Sequence, residues 1–161
     1  MDIADKVGKY LIKQELKIST TESCTGGLLS SKLTDVSGSS AYITLNLVTY
    51  ANEAKESMLG VTIDEDGVVS ETCAYQMAKG LLSLTNSDIA VSTTGIAGPT
   101  GGTPAKPVGL MYSCIFTKKC FKIYCIQVDP MLSRVQIKEA FVQQVLENLY
   151  SFLRVNYPDE I

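Results

Sequence analysis

Short β-branched or apolar runs, each closed by a small polar or glycine-bearing loop, alternate along this chain with segments whose apolar residues recur at helical spacing. That alternation constrains the fold more than any other feature. Strands separated by helices return to the sheet in parallel, and a parallel sheet must be covered on both faces. Ile3, Val7, Tyr10, Leu11 and Leu16 mark an opening amphipathic helix over residues 2–16, followed by a strand at 17–21. Leu28, Leu29 and Leu33 follow Gly26-Gly27 on a helix ending near Ser37-Gly38, and residues 42–50 read as a buried strand. Asn52 is placed as the N-cap of a short helix ending at Gly60, and Ser70 as the N-cap of one running to about Leu84. A third strand spans 88–94. Residues 108–116 and 120–128 then flank Thr117-Lys118-Lys119 as an antiparallel hairpin. Asp129-Pro130 reads as the start of the last helix, with Pro at its first position and Ile137, Phe141, Val145, Leu149 and Phe152 on one stripe. The expected architecture is α/β: a three-layer α/β/α sandwich with a mixed sheet. With no repeat or linker, residues 1–161 read as a single domain.

Composition enters through what it excludes. The chain has no histidine, which removes Ser-His-Asp triads, Cys-His dyads and His-ligated metals. Acid–base chemistry near neutral pH must then fall to a perturbed Lys, Cys, Tyr or carboxylate. The net charge of −3 and the lack of a basic stripe argue against nucleic acid as a partner. No apolar run is long enough to cross a bilayer, and the first residues lack a signal-peptide pattern. The five cysteines contain no Cys-x-x-Cys pair and read as thiols of a reducing cytoplasm. With those cysteines scattered and no dense carboxylate cluster, neither a metal nor a cofactor is expected.

Two loops exceed what simple connections need. Glu22-Ser23-Cys24-Thr25-Gly26-Gly27 stands where a strand hands over to a helix, and its backbone N–H groups could hold an anion or a developing oxyanion. The second loop, 93–104, carries Gly95, Gly98, Gly101 and Gly102. If their strands are parallel neighbours, both loops meet at one sheet edge, where open α/β sheets build their sites. Taken singly, each residue has a bland reading. Ser23 and Thr25 would cap the helix, the glycines would be backbone punctuation, and Lys55 would be solvated. Arg134, a cation in the first turn of a helix, opposes the macrodipole and suggests an anionic neighbour.

In order along the chain stand Thr21-Glu22-Ser23-Cys24-Thr25-Gly26-Gly27, Gly38-Ser39-Ser40-Ala41-Tyr42 and Val48-Thr49-Tyr50-Ala51-Asn52-Glu53-Ala54-Lys55. Gly67-Val68-Val69-Ser70-Glu71, Thr94-Gly95-Ile96-Ala97-Gly98-Pro99, Gly101-Gly102-Thr103-Pro104 and Lys106-Pro107-Val108-Gly109 follow. This set resembles the C-terminal domain of the CinA family, from about Val7 to Leu149. The resemblance implies hydrolysis of the carboxamide of nicotinamide mononucleotide to nicotinic acid mononucleotide and ammonia, in pyridine-nucleotide salvage. It differs from the family pattern at Asp66, where His is common, at Leu132-Ser133, where Gly-Asp often stands, and at Lys138, where a second arginine is usual.

The positions of the implied site come from that resemblance. Ser23 is assigned as nucleophile, Lys55 as general base and Tyr50 as proton relay or positioning group. Backbone N–H groups from Cys24 through Thr25 and Gly26 to Gly27 would hold the oxyanion. Thr94 with the loop containing Gly95 and Gly98 would embrace the nucleotide, and Arg134 would bind its phosphate or orient the nucleophile. Cys24 is the rival nucleophile, although it would lack the usual histidine partner; Thr25 is a weaker rival. The other function class is a non-catalytic nucleotide-sensing or partner-binding module, which needs the glycine loops but not serine and lysine together. A chain without the large preceding domain of full-length CinA proteins fits the enzyme better. A symmetric homo-oligomer stays open, with no residue setting its subunit number.

Overall fold

The computed structural model describes residues 1–160. Asp2 accepts from the Asp5 N–H and starts α1 (Ile3–Lys13), which leads to β1 (Ile18–Glu22) and α2 (Leu28–Thr34). β2 (Ile43–Val48), α3 (Asn52–Leu59) and α4 (Glu71–Leu84) follow. β3 (Ile89–Gly95), β4 (Leu110–Thr117), β5 (Phe121–Gln127) and the long α5 (Arg134–Asn156) complete the chain. One five-stranded sheet has the order β2-β1-β3-β4-β5. β1 is parallel to β2 and to β3, while β4 runs antiparallel to β3 and β5 antiparallel to β4. The mixed sheet expected from the alternation is therefore present.

Burial divides the helices into two layers. Val7, Leu11, Leu33, Phe141 and Leu149 from α1, α2 and α5 pack against Ile18, Val91 and Met111 on one face of the sheet. Leu59 of α3 and Met77, Ala78 and Leu81 of α4 pack against Ala90 and Cys114 on the other. The parallel pair β1 and β3 delivers its carboxyl ends side by side, so both glycine loops emerge at the same edge.

Three local expectations are corrected. The last helix does not begin at Asp129-Pro130. The Asp129 carboxylate accepts from the Met131 N–H (2.9 Å) and its carbonyl from Leu132, making a turn, while Ser133 and Gln136 form a reciprocal capping box that starts α5 four residues later. Asn52 is the first residue of α3 rather than its cap; Ala51 holds the cap position without a side-chain bond. The segment read as a buried strand is an outer strand, half-buried along its length, because β2 has β1 as its single sheet neighbour.

Gly80 on α4 sets how closely α3 approaches. A Cβ there would collide with the Leu59 carbonyl, so the two helices touch backbone to side-chainless backbone. Gly80→Ala should cost at least about 1–3 kcal/mol by forcing α3 outward. Urea unfolding reads this as a lower midpoint at unchanged slope; an unchanged midpoint would contradict the contact.

Candidate active site

Glu22 is the last residue of β1 and is fully buried. Its carboxylate accepts from Thr25 Oγ1 (2.6 Å), the N–H of Leu29 (2.8 Å), and the N–H (3.0 Å) and Oγ (2.6 Å) of Ser30. It therefore caps α2 from the strand side and draws the intervening loop tight. The helix-capping role expected of Ser23 and Thr25 is taken by this carboxylate: Gly27 occupies the N-cap position and makes no side-chain bond. Gly26 (φ 59°) and Gly27 (φ 101°) lie in the left-handed region, which lets the chain turn within so few residues.

That turn treats three adjacent nucleophile candidates differently. Ser23 is partly exposed and lines a cleft of about 230 Å³. Cys24 touches the same cleft but is 6% exposed, and burial pushes its thiol up to about 12, the nearby Glu22 carboxylate adding to the shift. Thr25 is fully buried with its hydroxyl committed to Glu22 and within 2.9 Å of Thr93 Oγ1. The Ser23 N–H donates to Thr93 Oγ1 (3.3 Å), joining the two glycine loops across β1 and β3. The Gly26 N–H donates to Ser23 O and the Leu28 N–H to Thr25 O. Among the described residues the N–H groups of Cys24 and Thr25 have no protein acceptor; Cys24 lines the cleft, whereas Thr25 is fully buried beneath it.

Behind the loop lies Lys55 on α3. It is 1% exposed, meets no carboxylate of the described residues within ion-pair distance, and donates Nζ to the carbonyl of Tyr50 (2.8 Å). Desolvation holds its pKa below the ordinary lysine value, against a weaker opposing pull from the Cys73 and Cys24 thiols. The solvated surface lysine of the bland reading is thus not what the fold builds. Cys73 beside it is itself pushed up to about 11, chiefly by burial.

Tyr50 joins the site at both ends. Its carbonyl holds Lys55, and its hydroxyl, on a ring 56% exposed, accepts from Arg134 Nη2 (3.1 Å). Arg134 Nη1 donates to Gly98 O (2.6 Å), so the guanidinium spans the cleft between the Tyr50 segment and the second loop. Thr21 and Thr49 hydroxyls, 2.8 Å apart, and the Thr49 N–H on Glu22 O fix the approach to Tyr50. Gly95 and Gly98 line the cleft. A Cβ on Gly95 would meet Met111 Cα at 2.8 Å, and one on Gly98 (φ 71°) would collide with Val108. Thr94 does not line it: buried, it donates to Val68 O (2.6 Å) and anchors the segment leading into α4. Lys106 reaches Asp66 O from the far end of the glycine loop. Among the described residues no three His, Cys, Asp or Glu side chains converge as a metal site.

The sequence reading gave no role to Glu22 itself, nor to Thr93 or Cys73. Glu22 carried a signal: a carboxylate closing a strand of small hydroxylated residues, just before two glycines and a helix, has helix N–H groups within reach.

A family model described as the CinA C-terminal domain matches residues 1–153. A CinA-like protein of Chlorobium chlorochromatii is 42% identical over 157 residues, 96% of this chain and 37% of its own length. One of Chloroherpeton thalassium is 44% identical over 158 residues, 92% of this chain and 38% of its own. The chain thus spans under two-fifths of these relatives. The crystal structure of competence/damage inducible protein CihA from Agrobacterium tumefaciens superposes with a TM-score of 0.86 at 36% identity, covering 94% of this chain and 96% of that one. The competence damage-inducible protein A (ComA) of Klebsiella pneumoniae gives 0.87 at 26% identity, with 96% of each chain covered. No helix of the described residues is long and apolar enough to cross a membrane.

Glu22→Gln keeps the shape of the side chain but sets an amide NH2 against donors. The expected cost is about 2–4 kcal/mol in urea unfolding. A loss under about 0.5 kcal/mol would mean that the buried carboxylate does not hold the loop.

Proposed function

The chain belongs to the CinA C-terminal domain family, and from that premise we propose that it is an amidohydrolase of one domain over residues 1–161 that converts nicotinamide mononucleotide to nicotinic acid mononucleotide and ammonia. The observation carrying this reading is Lys55, a buried lysine with depressed pKa and no acid partner, behind a loop that presents Ser23 and withdraws Cys24 and Thr25. A binding module would need the cleft and its cation but gains nothing from a buried lysine.

In the proposed mechanism Lys55 is neutral when substrate arrives and takes the Ser23 proton as Oγ attacks the carboxamide carbon. The carbonyl oxygen becomes an oxyanion held by backbone N–H of the loop, that of Cys24 at the cleft first among them. As the tetrahedral species collapses, the Lys55 ammonium returns its proton to the leaving nitrogen, and ammonia departs from an ester on Ser23. Water, deprotonated by Lys55 in turn, hydrolyses that ester and frees the acid. Tyr50 is a positioning residue, holding Lys55 by its carbonyl and Arg134 by its hydroxyl. Arg134 keeps the cleft walls in register and lends positive charge to the nucleotide phosphate. Thr94 acts through the backbone it anchors.

Ser23→Ala should lower kcat for the mononucleotide by at least about 10³-fold with the fold intact by circular dichroism. Because only neutral Lys55 accepts the proton, kcat/KM should rise with pH through an ionisation below the ordinary lysine value of 10.5. The sign for stability is the same: burial disfavours the charged form, so the penalty is present below the folded pKa and fades as pH rises towards the unfolded value. Lys55→Arg, locked in the charged form, should be inactive at every pH. Near-normal turnover by either variant would refute the dyad; absence of ammonia release by the wild type would refute the amidase reading.

A further inference from the structure

Two adjacent threonines near the end of β3 are sent to opposite faces by the pleat. Thr94 donates to Val68 O on one side, while Thr93, fully buried, reaches the loop that carries Ser23 on the other. The register partner of Thr93 on β4 is Ser113, whose buried hydroxyl has no hydrogen-bond partner among the described residues. The Thr93 hydroxyl is therefore committed towards β1 and not towards β4. Three contacts then fix the direction of every bond on that side. The Glu22 carboxylate only accepts, so Thr25 Oγ1, which has one hydrogen, directs it to Glu22 Oε1 (2.6 Å). At the 2.9 Å contact between Thr25 and Thr93 the donor must be Thr93. With its hydrogen given to Thr25, Thr93 Oγ1 has lone pairs alone to offer, and the Ser23 N–H takes one of them (3.3 Å). The Ser23 carbonyl is held in turn by the Gly26 N–H, so both peptide groups of the serine are pinned.

We propose that Thr93 is a positioning residue for the Ser23 nucleophile. By accepting the serine's own N–H it keeps that group out of the oxyanion hole, fixes the backbone from which Oγ is presented, and leaves the Cys24 N–H to meet the substrate oxygen. Hydrogen bonds that all run one way polarise one another, so the Glu22 charge strengthens the last link, which at 3.3 Å is the longest of the three. Without that link Ser23 gains freedom at the reacting atom, where a displacement of about 1 Å is costly in rate. The effect falls on the chemical step, because Thr93 is fully buried, does not line the cleft and touches no substrate. This inference rests on the amidase reading for the role of Ser23, and the test separates the two.

Wild type, Thr93→Val and Thr93→Ser are assayed with nicotinamide mononucleotide, and exchange of the Ser23 amide hydrogen is followed in each by NMR. Valine keeps the branched shape and removes the hydroxyl; serine keeps the hydroxyl and removes the methyl. Thr93→Val should lower kcat about 10- to 100-fold with KM within a few-fold, and should speed exchange of the Ser23 amide. Thr93→Ser should recover kcat to within about 3-fold and restore slow exchange, an order that a packing role alone would reverse. Unchanged kcat in Thr93→Val, or no recovery in Thr93→Ser, overturns the inference while the amidase reading stands. If Thr93→Val does not fold, Thr93→Cys, with its weakly hydrogen-bonding thiol, is read in its place against the same outcomes. If wild type releases no ammonia, the amidase reading falls and amide exchange decides. Faster exchange in Thr93→Val that Thr93→Ser reverses upholds the hold on Ser23, and equal exchange overturns it.

Discussion

A single buried carboxylate organises this molecule's functional edge. Glu22 gives up its hydration entirely and regains four hydrogen bonds, two of them from the first backbone N–H groups of α2. Charged acceptors inside a protein are tolerated only when saturated in this way. The result is a loop closed over five residues, with Thr25 turned inward, Cys24 desolvated and Ser23 left at the cleft. Because the carboxylate caps the helix, the serine is released from the structural duty that serines in such positions normally perform.

Lys55 is the counterpart, a buried cation that is not saturated. One carbonyl at 2.8 Å receives it and among the described residues no acid answers its charge, so desolvation holds its pKa below the ordinary lysine value. Cys24 lies within electrostatic reach of both groups and is held protonated between them by its own burial. A carboxylate saturated with hydrogen bonds and a lysine whose pKa burial depresses thus stand on either side of a short loop. The close α3–α4 contact at Gly80 belongs to the same device, since it presses Lys55's helix onto the core.

Much of this was legible in the chain, and the parts that were not share a physical reason. The α/β/α layering followed from alternating periods, and the meeting of the two glycine loops followed from β1 and β3 being parallel neighbours. Ser70 and Gly60 capped the helices they were assigned to. Asp129-Pro130 misled because two valid start signals stand four residues apart, and the reciprocal Ser133–Gln136 box outcompeted a proline that a side-chain turn could satisfy. The half-exposure of β2 depended on strand order, which local pattern does not encode. The burial of Lys55 depended on how closely two helices pack, and the role of Glu22 on a helix folding back over its own strand. Both are tertiary facts about residues whose types alone suggest solvent.

The central claim is that Ser23, activated by a neutral lysine, carries the acyl group. The most direct measurement is mass spectrometry of protein quenched in acid during turnover of nicotinamide mononucleotide, with the modified peptide sequenced. The account predicts a nicotinoyl-nucleotide ester on Ser23 that is absent in Ser23→Ala. A thioester on Cys24, or unmodified protein throughout a burst of ammonia release, would contradict it.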